Sequence, residues 1–353
     1  MTLSTEIKNT SEPEWNENLL QCSYSTSFQT SQWCEVYETS FQSTPFFITI
    51  KDESGIIVGQ LATLLHKNYN WRDSNLGKFV GRKMNLGLSL EWERGPIIHN
   101  DDLMAEVSEQ IFLAIEKICI LNNVSNIRGT SPTNSNISQF PFKNVDLDKI
   151  PWSTYITKLK NKDELFNSLD KKTRYDIRKS EKSDLEFIIV KEKSDFIDYV
   201  KLKLNSTGNI GLKNYPDFFD QHWKLLHTNQ LEHLFVAKFK GKIVSGILCS
   251  TFNGNMIQHG VVTSNDIPIS GTFLTWKAIQ WGIDNKFKTY DMGGVNPIPN
   301  DKEKRIEFFK SKWSGKKDDY LILTKVLKKS NYGLFKILQD PKKISNKLKQ
   351  KFT

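Results

Sequence analysis

Hydrophobic and polar positions alternate in two parts of the chain that share one order of predicted elements. In the first half, "PFFITIKDESGIIVGQLATLL" (45–65) predicts two strands joined by a turn, and "VSEQIFLAIEKICILNNVSNIRGTSP" (107–132) predicts an amphipathic helix followed by a short strand. In the second half, "LFVAKFKGKIVSGILCSTF" (234–252) and "GTFLTWKAIQWGIDNKFKTYDMGGVNP" (271–297) predict the same order. One structural unit is therefore predicted to occur twice, with an insertion between hairpin and helix in the first copy.

The second unit also has a predicted front end. Strands are expected at 153–159 and 185–190, one helix at 163–182, and two helical stretches from Ser194 and Pro216. This order is typical of an acetyltransferase-type (GNAT) α+β domain. The predicted fold is α+β, with two tandem GNAT-like (acyl-CoA N-acyltransferase-like) domains and no coiled-coil arm. The predicted divisions are a disordered leader at 1–19, domains at 20–150 and 151–325 that meet at 146–152, and a basic tail at 326–353.

Composition narrows the class of protein. A chain of 353 residues suggests about two domains, and 38% hydrophobic residues can bury a sizeable core. No apolar run is long enough for a membrane span and the start lacks a signal pattern, so a cytoplasmic protein is expected. The four cysteines are far apart and the six histidines form no HExxH motif, so neither disulfides nor a metal site is predicted.

Most of the net charge of +9 lies at the end of the chain. From Lys325 onward there are nine lysines and one acid, so the rest of the chain is almost neutral. A nucleic-acid partner does not follow from the overall charge. In the tail, Ile344, Leu348 and Phe352 form an apolar stripe beside the lysines, which suits an anionic membrane surface or an RNA backbone. A solvated terminal helix is the alternative.

A second concentration of charge is "LDKKTRYDIRKSEK" (169–182), with six Lys or Arg residues. On one continuous helix, Arg174 and Arg178 would share a basic face, beside an apolar face formed by Leu165, Leu169, Thr173 and Ile177. A basic face of this kind would hold the phosphates of a nucleotide-linked acceptor or of tRNA. Alternatively, these side chains pair locally with acidic neighbours on a solvated face.

Five segments in order resemble the Fem-type aminoacyltransferases that build peptidoglycan cross-bridges, and the match covers about residues 27–313. They are "TSQWCEVYE" (30–38), "EWERGPII" (91–98), "LDKKTRYDIRKSEK" (169–182), "YDMGGVNP" (290–297) and "IEFFKSKWSG" (306–315). The resemblance implies transfer of an aminoacyl group from aminoacyl-tRNA to an amine, with no bound cofactor. It also implies a nucleotide- or lipid-linked acceptor, and a monomer is expected.

Two other functions stay open. Related GNAT enzymes use acyl-coenzyme A and hold its pyrophosphate with a glycine-rich loop before a helix. The corresponding segment here, "TSNDIPISGTFLTWKAIQ", has the single Gly271, which argues against a standard coenzyme A site. The other alternative is a ligand-binding protein that keeps the twin fold without catalysis.

The resemblance also suggests site residues. It assigns catalytic roles to Lys310, which would stabilise negative charge near the reacting ester, and to Asp291, which would orient the groove or assist proton removal. Arg174 and Arg178 would bind phosphate. Gly293 and Gly294 leave room for the close approach of a ligand, and a turn that only needs positive φ is the alternative. Tyr215 and Trp33 line the acceptor groove in this interpretation, although aromatic residues at such positions also occur in cores.

Overall fold

The computed structural model describes residues 2–67, 87–133, 146–207 and 216–330, together with positions 79, 83, 135 and 332. The strands are β1 Ser4–Lys8, β2 Thr44–Lys51, β3 Ile57–Lys67, β4 Leu88–Trp92, β5 Ile97–Ile98, β6 Asn126–Thr130, β7 Asp148–Lys158, β8 Leu185–Ile189, β9 Glu232–Phe239, β10 Lys242–Phe252, β11 Asn255–Thr263, β12 Thr289–Asp291 and β13 Lys316–Val326. The helices are α1 Trp15–Leu19, α2 Ser31–Phe41, α3 Met104–Leu121, α4 Lys162–Ser168, α5 Lys171–Glu181, α6 Lys193–Thr207, α7 Pro216–Gln221, α8 Ile269–Asp284 and α9 Asp301–Ser311. A π-helical turn, His222–His227, extends α7.

The predicted repeat is confirmed by the strand pairing. In the first half, β3 pairs antiparallel with β2 and β4, and β4 pairs parallel with β6 after the crossover through α3. In the second half, β10 pairs antiparallel with β9 and β11, and β11 pairs parallel with β12 after the crossover through α8. Matched backbone turns accompany this topology, because Asn123 and Lys286 both end the crossover helix with a positive φ, at 57° and 62°.

The two halves share one sheet. Its strand order is β1-β2-β3-β4-β6-β13-β7-β12-β11-β10-β9-β8, and β5 pairs with β3. The last strand, β13, lies between the halves and runs antiparallel to both β6 and β7. The boundary predicted at 146–152 therefore lies mostly inside β7, whose first residues pair with β13, rather than in a linker.

The prediction of a disordered leader at 1–19 is wrong. Residues Ser4–Lys8 form β1, which extends the sheet beside β2, and Trp15–Leu19 form α1. Trp15 is 2% exposed and its indole Nε1 donates a hydrogen bond of 2.8 Å to the carbonyl oxygen of Gln29. A few buried apolar side chains thus hold in place a segment whose polar composition suggested disorder.

The single helix predicted at 163–182 is two helices. Leu169 is extended, with ψ at 152°, and the Asp170 side chain accepts from the Thr173 amide and begins α5. The apolar positions Leu165, Leu169, Thr173 and Ile177 are all buried nonetheless. Their spacing therefore identified the buried side chains but not the break between α4 and α5.

Each half has its own hydrophobic core, and a smaller cluster joins them. That cluster includes Phe28, Trp33 and Val36 from the first half and Leu226 and Ile257 from the second. The four cysteines are buried, and none of them is paired with another cysteine in the structure. Within the described part of the chain, no helix combines the length and apolar character needed to cross a bilayer.

Candidate active site

Strands β11 and β12 pair at one end and then separate, which leaves a gap in the sheet. The two strands pair in parallel over only three residue pairs, from Asn255 with Thr289 to Ile257 with Asp291. Beyond this point β12 ends, whereas β11 continues to Thr263 and pairs only with β10 among the described residues. A cavity of about 870 Å³ occupies the gap and reaches α8, α9 and the loop after β4.

The equivalent gap in the first half is closed. The loop after β4 folds onto the end of β6, where the Arg94 and Gly95 amides donate to the side chain and carbonyl of Thr130, at 2.8 and 3.0 Å. The Trp92 ring covers Gly129 so closely that a Cβ atom there would lie 1.9 Å from it. Only the second half therefore has an open gap in the described structure, and the loop that closes the first gap carries Arg94 into it.

Asp291 lies beneath the cavity floor. It is 2% exposed, and its Oδ1 accepts from the Gly293 amide at 2.7 Å and from the Thr154 hydroxyl. Its Oδ2 accepts from the Thr133 hydroxyl at 3.3 Å, so side chains of both halves bind this carboxylate. Asp291 is not among the residues that line the cavity. Direct proton removal by Asp291, one of its predicted roles, therefore does not fit its position; it positions the glycine turn instead.

Gly293 and Gly294 form the cavity wall above Asp291. Gly293 has φ at 75°, and an added Cβ would lie 2.8 Å from the carbonyl oxygen of Gln258. An added Cβ at Gly294 would lie 2.7 Å from both Trp152 Nε1 and Tyr320 Oη. Gly293 therefore requires glycine because of its positive φ and the adjacent backbone, whereas the space at Gly294 is filled by two side chains. The predicted close approach of a ligand to these glycines stays a prediction.

Lys310 reaches this turn from α9. Its Nζ donates to the carbonyl oxygens of Gly293 and Gly294, both at 2.9 Å. An ammonium group has three donors, so one N–H remains after these two bonds. Burial lowers the pKa of Lys310 to about 8, and the nearby Asp291 carboxylate opposes this shift.

Arg94 completes the charged floor. It is 6% exposed, its Nη2 lies 4.0 Å from Oδ2 of Asp291, and its guanidinium stacks 4.2 Å from the centroid of the Tyr320 ring. Its Nη1 is buried and has no hydrogen-bond partner among the described residues. A buried guanidinium with an unused donor favours an anionic or strongly polar ligand.

Helix α9 lines the cavity with one face, from Lys302 through Arg305 and Ile306 to Phe309 and Lys310. The Asn300 side chain and Glu303 form a capping box that fixes the start of this helix. Lys302 and Arg305 are exposed, and neither has an ion-pair partner within the described ranges. The opening of the cavity is therefore basic.

The other predicted site residues lie elsewhere. Arg174 donates from Nη1 to the carbonyl oxygens of Asn167 and Leu169, at 2.8 and 3.0 Å, and so binds the end of α4. Arg178 stacks 5.2 Å from the ring centroid of Phe166. Neither arginine lines the cavity. Of the predicted charged site residues, Lys310 lines the cavity and Asp291 lies beneath it, whereas the basic face of α5 lies away from both.

Trp33 and Tyr215 are the two aromatic residues predicted to line the acceptor groove. Trp33 is buried and lines a separate cavity of about 110 Å³ between α2 and the sheet. Tyr215 lies outside the described residues. Arg94 was missed as a site residue, although it lies in the "EWERGPII" segment used for the resemblance. The sequence signal that could have identified Arg94 is a charged residue directly before Gly95-Pro96, at the end of a buried strand.

No protein-family model and no curated protein sequence matches this chain. The crystal structure of FemX is similar to it, with a TM-score of 0.68 and 13% identity over 93% of this chain and 99% of the other. The chain has a Fem-like twin GNAT fold. A tandem GNAT protein from the clavulanic acid biosynthesis pathway matches with a TM-score of 0.56, at 10% identity over 92% and 98% of the two chains. The structure of L-PGS from Bacillus licheniformis matches with a TM-score of 0.52, at 12% identity over 96% and 98%. Identities this low establish the fold alone.

Proposed function

We propose that this protein is an N-acyltransferase that moves an aminoacyl group from aminoacyl-tRNA to an amine of a phosphate-bearing acceptor. The observation that supports this most strongly is the open gap beside β11 with two cations, Lys310 and Arg94, at its floor. FemX and the tandem GNAT protein share the twin fold, so acyl transfer is also the chemistry that the fold favours.

In the proposed reaction, the acceptor nitrogen attacks the ester carbonyl carbon and the carbonyl oxygen becomes negatively charged. The third N–H of Lys310 and the unused Nη1 donor of Arg94 stabilise this charge in a partly dry site. The carbon–oxygen bond to the tRNA ribose then breaks, and the ribose hydroxyl leaves with a proton. Asp291 keeps the glycine turn and Arg94 in place during these steps.

The basic opening supports a phosphate-bearing acceptor. Lys302 and Arg305 are solvent-exposed cations in the cavity lining, and neither forms an ion pair with a described carboxylate. Phosphates of a nucleotide- or lipid-linked acceptor suit this position. The predicted contact of the basic tail with an anionic membrane stays a prediction, because the tail beyond residue 330 is described only at position 332.

The part of the cavity wall that α8 forms supports a second acyl donor. Pro268, Gly271 and Thr275 bring the start of this helix to the cavity, where the positive end of the helix dipole attracts a pyrophosphate. Acetyl-coenzyme A is therefore the alternative donor, although the segment has only one glycine.

The test supplies purified protein with mixed radiolabelled aminoacyl-tRNAs or, separately, labelled acetyl-coenzyme A, and with nucleotide-linked amine acceptors. We expect transfer from aminoacyl-tRNA, and a loss on the order of 10²-fold or more in Lys310→Ala and Arg94→Ala. Lys304→Ala is the matched control, because Lys304 is exposed on α9 and pairs with Asp301 outside the cavity. Transfer only from acetyl-coenzyme A would overturn the donor, and full activity of Lys310→Ala would overturn the site. Binding without transfer would favour the non-catalytic alternative.

A further inference from the structure

A buried carboxylate joins two imidazoles beside the cavity. Glu232, the first residue of β9, is fully buried, and its Oε2 lies 3.0 Å from Nδ1 of His222 and 3.1 Å from Nε2 of His259. Burial acts to raise the pKa of Glu232, but the two histidines outweigh it and lower this pKa to about 2. Oε2 accepts a hydrogen bond from Nδ1 of His222, and Nε2 of His259 faces the same oxygen at 3.1 Å.

His259 connects this pair to the cavity. The register between β10 and β11 shifts at Leu248 and Cys249, so His259 is the extra residue of a β-bulge. It lines the cavity beside Gln258, and its side chain is 21% exposed. Phe28 and Trp33 contact its ring edge to face, with centroids 5.9 and 6.0 Å away, and hold the imidazole in orientation.

The contact with Glu232 assigns the tautomer of His259. Because the carboxylate accepts at Nε2, the neutral ring carries its proton there and keeps a lone pair on Nδ1. Nδ1 has no hydrogen-bond partner in the part of the chain that the structure describes. A carboxylate that fixes an imidazole through one nitrogen and leaves the other as a base is the arrangement found in His–Asp pairs of hydrolases.

A metal site does not account for the same three side chains. Among the described residues, no group of His, Cys, Asp and Glu side chains is arranged to hold a metal ion. Nδ1 of His222 and Nε2 of His259 both face Oε2 of Glu232, and Nε2 of His222 is buried without a partner among the described residues.

We propose that His259 is the general base of the transfer reaction and that Glu232 is its positioning residue. This inference rests on the proposed function. Nδ1 of His259 takes a proton from the acceptor ammonium, and the neutral amine then forms the new C–N bond at the donor carbonyl carbon. The imidazolium releases this first proton to solvent, and Nδ1 takes a second proton from the nitrogen of the tetrahedral intermediate. The bond from the carbonyl carbon to the ribose oxygen or the coenzyme sulfur then breaks, and the leaving oxygen or sulfur receives the second proton from the imidazolium, so the enzyme returns to its starting state.

Other charged groups surround His259. Glu232 and His222 bind or face it from β9 and the π-helical turn, while Glu93 and Arg94 line the same cavity from the loop after β4. Lys203 of α6 approaches the next residue, because its Nζ would lie 2.9 Å from a Cβ atom added at Gly260. Lys310 lines the cavity from α9.

The test compares wild type with His259→Gln and Glu232→Gln, using mixed aminoacyl-tRNAs or acetyl-coenzyme A as donor. The acceptors are methylamine, which is protonated at neutral pH, and hydroxylamine, which is not, and the uncatalysed rate is subtracted. For methylamine we expect His259→Gln to lower kcat on the order of 10²-fold or more and to remove the acidic limb of the pH profile. For hydroxylamine the loss should be at least tenfold smaller, because no proton has to be removed before attack. Glu232→Gln should give an intermediate loss with the same dependence on the acceptor.

The control is His233→Gln, because His233 follows Glu232 on β9 but bonds Thr251 instead of lining the cavity. Equal losses with both amines, or an unchanged acidic limb in His259→Gln, would overturn the role as base. A second measurement needs no turnover: ¹⁵N chemical shifts of the imidazoles should show the Nε2–H tautomer of His259, and Glu232→Gln should change it. An Nδ1–H tautomer would overturn the dyad, whereas absence of transfer by wild type from every donor, with the Nε2–H tautomer present, would overturn the proposed function instead.

Discussion

The Nη2 atom of Arg94 lies 4.0 Å from Oδ2 of Asp291, and this contact joins the two halves of the protein at the cavity floor. Arg94 lies in the loop that closes the gap in the first half of the sheet. Asp291 is the last residue of β12, where the gap in the second half begins. Each copy of the repeat therefore contributes one charge to a single buried pair.

The first prediction concerns this pair. Asp291→Asn keeps the size of the side chain but leaves the buried Arg94 cation without its counter-charge, so we expect a loss of about 3 kcal/mol in the free energy of unfolding. Urea denaturation measures it. In the double variant Arg94→Met/Asp291→Asn the unpaired charge is gone, so the total loss should be smaller than the sum of the single losses. Additive losses would show that the two side chains are not coupled.

The second prediction concerns the glycine turn. Gly293→Ala places a Cβ atom 2.8 Å from the Gln258 carbonyl oxygen and also strains a residue with positive φ. Gly241→Ala is the matched control, because Gly241 has φ at 74° and no atom within 4 Å of an added Cβ. The control should lose about 1 kcal/mol from backbone strain alone, and Gly293→Ala should lose clearly more and transfer more slowly. Equal losses in denaturation experiments would mean that the turn can shift to accept a side chain.

The third prediction is the titration of Lys310. Burial lowers its pKa from 10.5 to about 8, so the ¹³C signal of reductively methylated Lys310 should titrate well below those of exposed lysines. Lys310→Arg identifies the signal by removing it. A midpoint near 10.5 would contradict the desolvated position of the ammonium group.

The same shift predicts the sign of a pH effect on stability. The folded state binds the Lys310 proton less tightly than the unfolded chain does. Below pH 8 the buried charge therefore lowers the free energy of unfolding, and this cost disappears between about pH 8 and 10.5. The free energy of unfolding of wild type should therefore rise with pH relative to that of Lys310→Met in this window. A difference that stays constant with pH would contradict the shift.

Local patterns predicted the repeat because each part of it is decided by neighbouring residues. The hairpins of β2–β3 and β9–β10 follow from alternation and turn residues, and the glycines of 293–294 follow from the backbone they require. The site follows from contacts between segments far apart in sequence. Arg94 meets Asp291 only after β13 brings the halves together, and Glu232 meets His259 only across β10, which pairs with both β9 and β11. No spacing within one segment encodes these pairs.

The missed helix break before Arg174 has a similar origin. An i+4 pattern of buried residues is the same for one helix and for two helices whose apolar faces align, so the break at Leu169 was not visible in the spacing. With the break, Arg174 follows a helix end with free carbonyl groups, and it binds two of them.

The last prediction distinguishes two roles of Arg174, binding the end of α4 and binding phosphate. If its function is to bind the end of α4, Arg174→Ala should lower the free energy of unfolding by about 1–3 kcal/mol, because two hydrogen bonds to a charged donor are lost. The rate of transfer should stay close to that of wild type, since Arg174 does not line the cavity. The phosphate role implied by the Fem-type resemblance predicts instead a fall on the order of 10²-fold in rate. Arg178→Ala is the control from the same helix, because Arg178 stacks on Phe166 and donates to no helix carbonyl among the described residues. Measuring denaturation and transfer for both variants decides the question, and a large loss of rate with unchanged stability in Arg174→Ala would restore the phosphate role.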